Sequence, residues 1–180
     1  MALVCSLLFT FLLAACHAKR NYYILINEVE LISTNEDFYS DETDFDINKI
    51  NETTDAISAT LDLIKDLPED VGQIIVQSYE LHGNKWDMSG FVINKTWCDF
   101  IGNDPYFMEG IIRQSNYPKK CPIQATRFEV NNFTIDAEQL PEEVPGEFWR
   151  FVFQQYQPNS GTILQFRIDA QIKRKQVTGT

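Results

Sequence analysis

The chain has 180 residues, with 15 Lys and Arg against 26 Asp and Glu and a formal net charge of −11. Such a surface repels phosphate backbones, and no stripe of Lys and Arg offsets it, so nucleic acid is excluded as a partner. The charge reads as colloidal solubility, while 13 Phe, 7 Tyr and 3 Trp mark an aromatic-rich interior.

Residues 1–18, MALVCSLLFTFLLAACHA, contain no charged side chain, and Cys16-His17-Ala18 offers small residues where a signal peptidase reads. The expectation is a secretory leader cleaved after Ala18, leaving an extracellular chain from Lys19. The apolar run is shorter than the roughly 20 residues of a membrane span. A bacterial alternative stands beside this, since Leu13-Ala14-Ala15-Cys16 fits a lipoprotein cleavage box. Residues 19–180 are long enough for one domain with its own core.

Strands are expected at 22–32, 44–51, 56–65, 73–81 and 86–93, with breaks at Pro68-Glu69-Asp70 and Gly83-Asn84. The acidic stretch Glu36–Asp46 precedes the second of these. Asp44, Asp46 and Asn48 match the first ligands of a calcium loop, but Lys49 replaces the required glycine. The alternation of Phe45, Ile47 and Lys49 favours a solvated loop running into a strand. Residues Trp97–Arg113 carry loose helical spacing, interrupted by Gly102 and Pro105. A further strand spans Arg127–Asp136. In 148–156, FWRFVFQQY, Trp149, Phe151 and Phe153 share one face, and Leu164, Phe166, Ile168, Ala170 and Ile172 alternate after the turn Pro158-Asn159-Ser160-Gly161. These two segments form an antiparallel hairpin. About eight strands and one short helix define a mainly β fold, an antiparallel β-sandwich or β-cup.

After cleavage two cysteines remain, Cys98 and Cys121, which in an oxidising compartment form one disulfide; two buried thiols are the alternative. The bridge closes a loop of about 24 residues, worth on the order of 3 kcal/mol. Glycosylation sequons stand at Asn51, Asn94 and Asn132. His82, beside a turn, has no nucleophile or acid nominated for it. No phosphate-binding glycine loop, His/Cys metal cluster or nucleophile elbow occurs, so no enzyme, metal or cofactor is expected. Lys173-Arg174-Lys175 reads as a hydrated strand end, with a membrane-surface role as the alternative.

The aromatic residues Phe91, Phe128, Phe133, Trp149, Phe151, Phe153 and Phe166, with Ile168, are candidates to line an apolar pocket. The same residues would equally fill an ordinary core, and alternation does not separate the two arrangements.

From Trp97 to Lys175 the order Cys98-Asp99-Phe100, helical stretch, Cys121-Pro122-Ile123, aromatic strand, Leu140-Pro141, Pro145-Gly146 and Phe148-Trp149-Arg150 resembles the insect CheA/CheB-type chemosensory proteins, the CheA side most closely. These are secreted relatives of the lipid-recognition fold of the ganglioside activator. The resemblance implies a β-cup whose pocket takes a lipid-like or pheromone-like small molecule in chemical sensing, with a membrane receptor or channel as a further partner. The family supplies no ligand motif to carry across, and Trp97 stands where a smaller apolar residue is expected. A secreted β-sandwich that binds a receptor or another protein through its surface is the competing reading.

Overall fold

The computed structural model describes residues 20–67, 72–104, 106–119 and 121–175. The expected leader, the Pro68-Glu69-Asp70 break and Pro105 lie outside them. Eight strands are found among the described residues: β1 (Tyr22–Thr34), β2 (Asp44–Asn51), β3 (Thr54–Leu63), β4 (Gln73–His82), β5 (Lys85–Thr96), β6 (Thr126–Phe133), β7 (Phe148–Gln157) and β8 (Gly161–Arg174). They form two antiparallel sheets, one in the order β1-β8-β7-β4-β5 and one in the order β2-β3-β6. The mainly β architecture read from the sequence is therefore the architecture observed.

The expected hairpin is β7–β8, paired Trp149↔Ala170, Phe151↔Ile168 and Phe153↔Phe166. Its turn ends on Gly161 at φ +74°, a left-handed conformation that glycine adopts without cost. The acidic stretch does run into a strand: Asp44, Asp46 and Asn48 lie on β2, and the Asn48 amide donates to Ser58 Oγ and Asn132 Oδ1. The strand expected to reach Asp136 stops at Phe133. There Asn132 turns to φ +55°, and Asp136 accepts the Glu138 N–H to open a short 3-10 turn at Ala137–Gln139.

The single helix expected over Trp97–Arg113 is instead two, α1 (Trp97–Asn103) and α2 (Met108–Arg113). The cause is local. Asp104 Oδ2 accepts the backbone N–H groups of Tyr106, Phe107 and Met108 at 3.2, 2.6 and 2.9 Å, so its side chain takes over donors that a continuous helix would bond to carbonyls. Thr96 caps α1 by accepting from Asp99 N.

Different devices close the two sides of the sandwich. Where β1 approaches the smaller sheet, the Ile26 N–H donates to Asp55 Oδ2 at 3.0 Å. Across the sandwich the two helices bridge the gap, tied down by the Cys98–Cys121 disulfide, whose Cα atoms are 5.7 Å apart. The Trp97 N–H donates to the Gly72 carbonyl, and the indole lies so close that a Cβ on residue 72 would fall 1.7 Å from Trp97 Nε1. The unexpected bulk of Trp97 is thus accommodated by a glycine opposite it.

The outward faces carry the charge. Arg150 holds Asp169 through two bonds of 2.8 and 2.7 Å while lying 4.4 Å over the Trp86 ring. Arg167 reaches both Glu28 and Glu30 at 2.7 Å. Inside, Tyr39, on the loop after β1, is 2 % exposed and donates its hydroxyl to Gln155 Oε1 at 2.6 Å. Burial, with the Tyr117 phenol beside it, pushes the Tyr39 hydroxyl well above the ordinary phenol range, and burial pushes Tyr117 up as well.

Because these phenols ionise more readily in the unfolded chain, stability should hold below about pH 10, the ordinary phenol value, and fall as pH rises beyond it. In an alkaline titration the phenolate absorbance should rise in two stages. The second, from Tyr39 and Tyr117, should coincide with loss of the native circular dichroism. Ionisation of all 7 tyrosines in a still-folded protein would contradict this.

Candidate ligand site

The space between the sheets is set by alternation on β7 and β8. Each strand turns every second side chain inward, and the register brings Phe151 beside Ile168 and Phe153 beside Phe166. The facing sheet contributes Phe45 from β2, Ile57, Ala59 and Leu61 from β3, and Val130 and Phe133 from β6. Phe100 and Ile101 of α1, with Phe107 just before α2, close the remaining side. These residues surround a cavity of about 120 Å³.

The rings do not fill it, because they hold one another upright. Phe45 stacks on Phe166 at 4.6 Å between centroids, Phe166 on Phe153 at 4.7 Å, and Phe153 meets Phe107 edge-on at 5.8 Å. Tyr106 and Phe91 continue the series at 6.2 and 5.6 Å. Phe151, Phe153 and Phe166 point inward yet remain half-buried, whereas Ile168 beside them is buried. A packed core would bury all four.

Among the described residues that line this cavity, none is Asp, Glu, His, Lys or Arg. Its polar members are Gln154, Gln155, Tyr117 and Trp97. Gln155 is committed to the Tyr39 hydroxyl, and burial keeps Tyr117 neutral. Such a wall offers dispersion and displacement of water but no charge and no acid–base pair. His82 lies away from it, its side chain 58 % exposed and 3.7 Å from Glu80. No three His, Cys, Asp or Glu among the described residues come together as metal ligands would, and no helix among them is long and apolar enough to cross a membrane.

Of the residues nominated by alternation, Phe133, Phe151, Phe153, Phe166 and Ile168 line the cavity. Phe91 and Trp149 line a neighbouring one. Phe128 lines neither: it is 2 % exposed against the Tyr117 ring, and Tyr117 is the one that reaches the cavity. Phe45 and Phe107 also line the cavity but are not among the residues nominated from the sequence. Phe45 sits between two aspartates, and Phe107 shares the loose helical spacing of Trp97–Arg113 but stands at the Asp104 turn that breaks the helix. The three sequon asparagines, Asn51, Asn94 and Asn132, are all exposed.

A family model described as a protein of unknown function, DUF1091, matches residues 73–151, from β4 into β7, which is under half of the chain. No curated protein matches the sequence. Among solved structures, the chain is similar to a Niemann-Pick type C2 protein from Japanese carpenter ant, at 14% identity and TM-score 0.37, covering 80% of this chain and 98% of that one. It is also similar to chicken MD-1 complexed with lipid IVa, at 10% identity and TM-score 0.33, covering 83% of this chain and 99% of that one.

Truncating a ring in packed surroundings opens a hole, whereas truncating one beside an existing cavity only enlarges it. Phe128→Ala should therefore cost about 3–5 kcal/mol. At least one of Phe151→Ala, Phe153→Ala and Phe166→Ala should cost less than half as much in denaturant melts. Equal core-sized losses in all four variants would mean that the interior is filled.

Proposed function

We propose that the protein is a secreted carrier or presenter of a hydrophobic small molecule, lipid-like or pheromone-like, that acts in chemical sensing by equilibrium binding without chemistry. The observation that carries this reading is the uncharged aromatic cavity whose inward phenylalanines remain half-buried. At about 120 Å³ it compares with engineered apolar cavities of about 150 Å³ that stay dry and take up benzene. Chemical sensing rests on the resemblance of residues 97–175 to the CheA/CheB-type proteins. Secretion is supported by the leader-like residues 1–18 and by the sequons, with Asn51, Asn94 and Asn132 exposed and open to glycans.

One observation favours the competing reading, an interaction module. On β5, at the edge of the larger sheet, Met88 and Val92 are 54% and 47% exposed, an apolar strip that a protein partner could cover.

Titration with N-phenyl-1-naphthylamine, whose emission rises in apolar surroundings, separates the two. The carrier reading expects saturable uptake of one probe per chain, with release to added lipid vesicles. Absence of uptake by folded protein would overturn it and leave the β5 face as the functional surface.

A further inference from the structure

The interior holds a second apolar chamber, of about 180 Å³, between the β1-β8-β7 part of the larger sheet and the segment leading into β7. Ile24, Trp149, Ala170 and Ile172 form its walls. The two chambers have three residues in common: Phe107, Ile135 and Phe151. The packing also divides into two clusters of buried apolar side chains, though not along the same line, since Ile57 and Ile168 of one cluster and Phe107 of the other each line the opposite chamber. Ile135 is one of the few that touch both clusters, together with Phe153 and Phe166.

We propose that Phe107, Ile135 and Phe151 form a partition that yields to a ligand. On this assignment the cognate ligand is a single unbranched, uncharged chain, longer than either chamber, threaded through both. The inference rests on the hydrophobic-carrier reading and adds the shape and charge of the ligand.

Three features of the chambers support it. The first is size. Either chamber alone is close to benzene-sized, whereas the two volumes add to about 300 Å³, where the range for ligand pockets begins. The second is the unequal anchoring of the partition. Phe107 is fixed through its N–H to Asp104 Oδ2 and by its edge contact with Phe153. Ile135 lies outside the strands, between β6 and the 3-10 turn, and is half-buried, so it is the member free to change rotamer, while Phe151, also half-buried, stacks on Trp149 at 6.1 Å. The third is charge. Among the described residues, the only charged one lining either chamber is Glu143, which is exposed and stands with exposed Pro141 and Pro145 at the outer end of the second chamber. A carboxylate at that mouth opposes an anionic head group and accepts a hydroxyl or a plain hydrocarbon end.

The test is displacement of the fluorescent probe by linear alcohols from hexanol to hexadecanol, on wild type and on two variants of Ile135. Each methylene that enters a continuous apolar path should tighten binding about fourfold, the fold-change for roughly 0.8 kcal/mol per buried methylene. In wild type the gain should therefore persist beyond the length at which one chamber is full, and hexadecanoate should bind at least tenfold more weakly than hexadecanol. Ile135→Ala should raise the hexadecanol-to-hexanol affinity ratio and Ile135→Trp should lower it, each by about tenfold, whatever either does to hexanol alone. A gain that stops at short alcohols, or a ratio that moves in the same direction in both variants, overturns the partition while leaving the carrier reading intact. Failure of every alcohol and of the probe to bind overturns the carrier reading, and the partition with it.

Discussion

The register of β7 against β8 decides where every large ring of the interior goes. Side chains alternate along a strand, so a slip of one residue would turn Trp149, Phe151 and Phe153 out into water and bring Arg150 and Val152 in. Register is fixed from both faces. Inward, Phe153 lies flat on Phe166, the rings parallel to within 2°. Outward, Arg150 faces its direct cross-strand partner Asp169 with two hydrogen bonds. An exposed ion pair alone adds little stability. This one is largely buried, with side chains 24% and 13% exposed, and a slip would leave both charges unpaired, so it contributes to specifying the pairing.

With the rings placed, the rest of the molecule acts as a frame that keeps the sheets from collapsing onto them. The Asp55 contact closes one side, and α1, α2 and the Cys98–Cys121 bridge close the other. Stacked rings resist compression because each is held by its neighbour. The run from Phe45 through Phe166 and Phe153 to Phe107 therefore spans the gap between the sheets without filling it. Dispersion contacts are forfeited along the cavity wall, and an apolar ligand would restore them.

How far the sequence foretold this depends on the range of the interactions involved. β7 and β8 were legible because period-two alternation is strong in both and turn residues separate them. The disulfide was legible by arithmetic once two cysteines were assigned to the leader. The break between α1 and α2 was not, since it rests on one carboxylate taking three backbone donors, and Pro105 and Gly102 only suggested an interruption. Phe107 owes its place to that break, so its role at the junction of two chambers was hidden too. Phe45 was masked by its flanking aspartates, which belong to the exposed face of the same strand. Phe128 misled in the opposite direction: inward alternation is necessary for lining a cavity but not sufficient, because Tyr117 arrives from elsewhere in the chain to cover it.

On the proposed carrier reading, the protein in its own tissue holds a hydrophobic molecule in its interior. Mass spectrometry of protein purified from its own tissue under native conditions, followed by solvent extraction, addresses it most directly. The carrier reading expects a native mass exceeding that of the covalent chain, with any glycans it bears, by one uncharged apolar molecule, and recovery of that molecule in the extract at close to one per chain. A native mass equal to that of the covalent chain alone, with no apolar compound enriched in the extract, would overturn it.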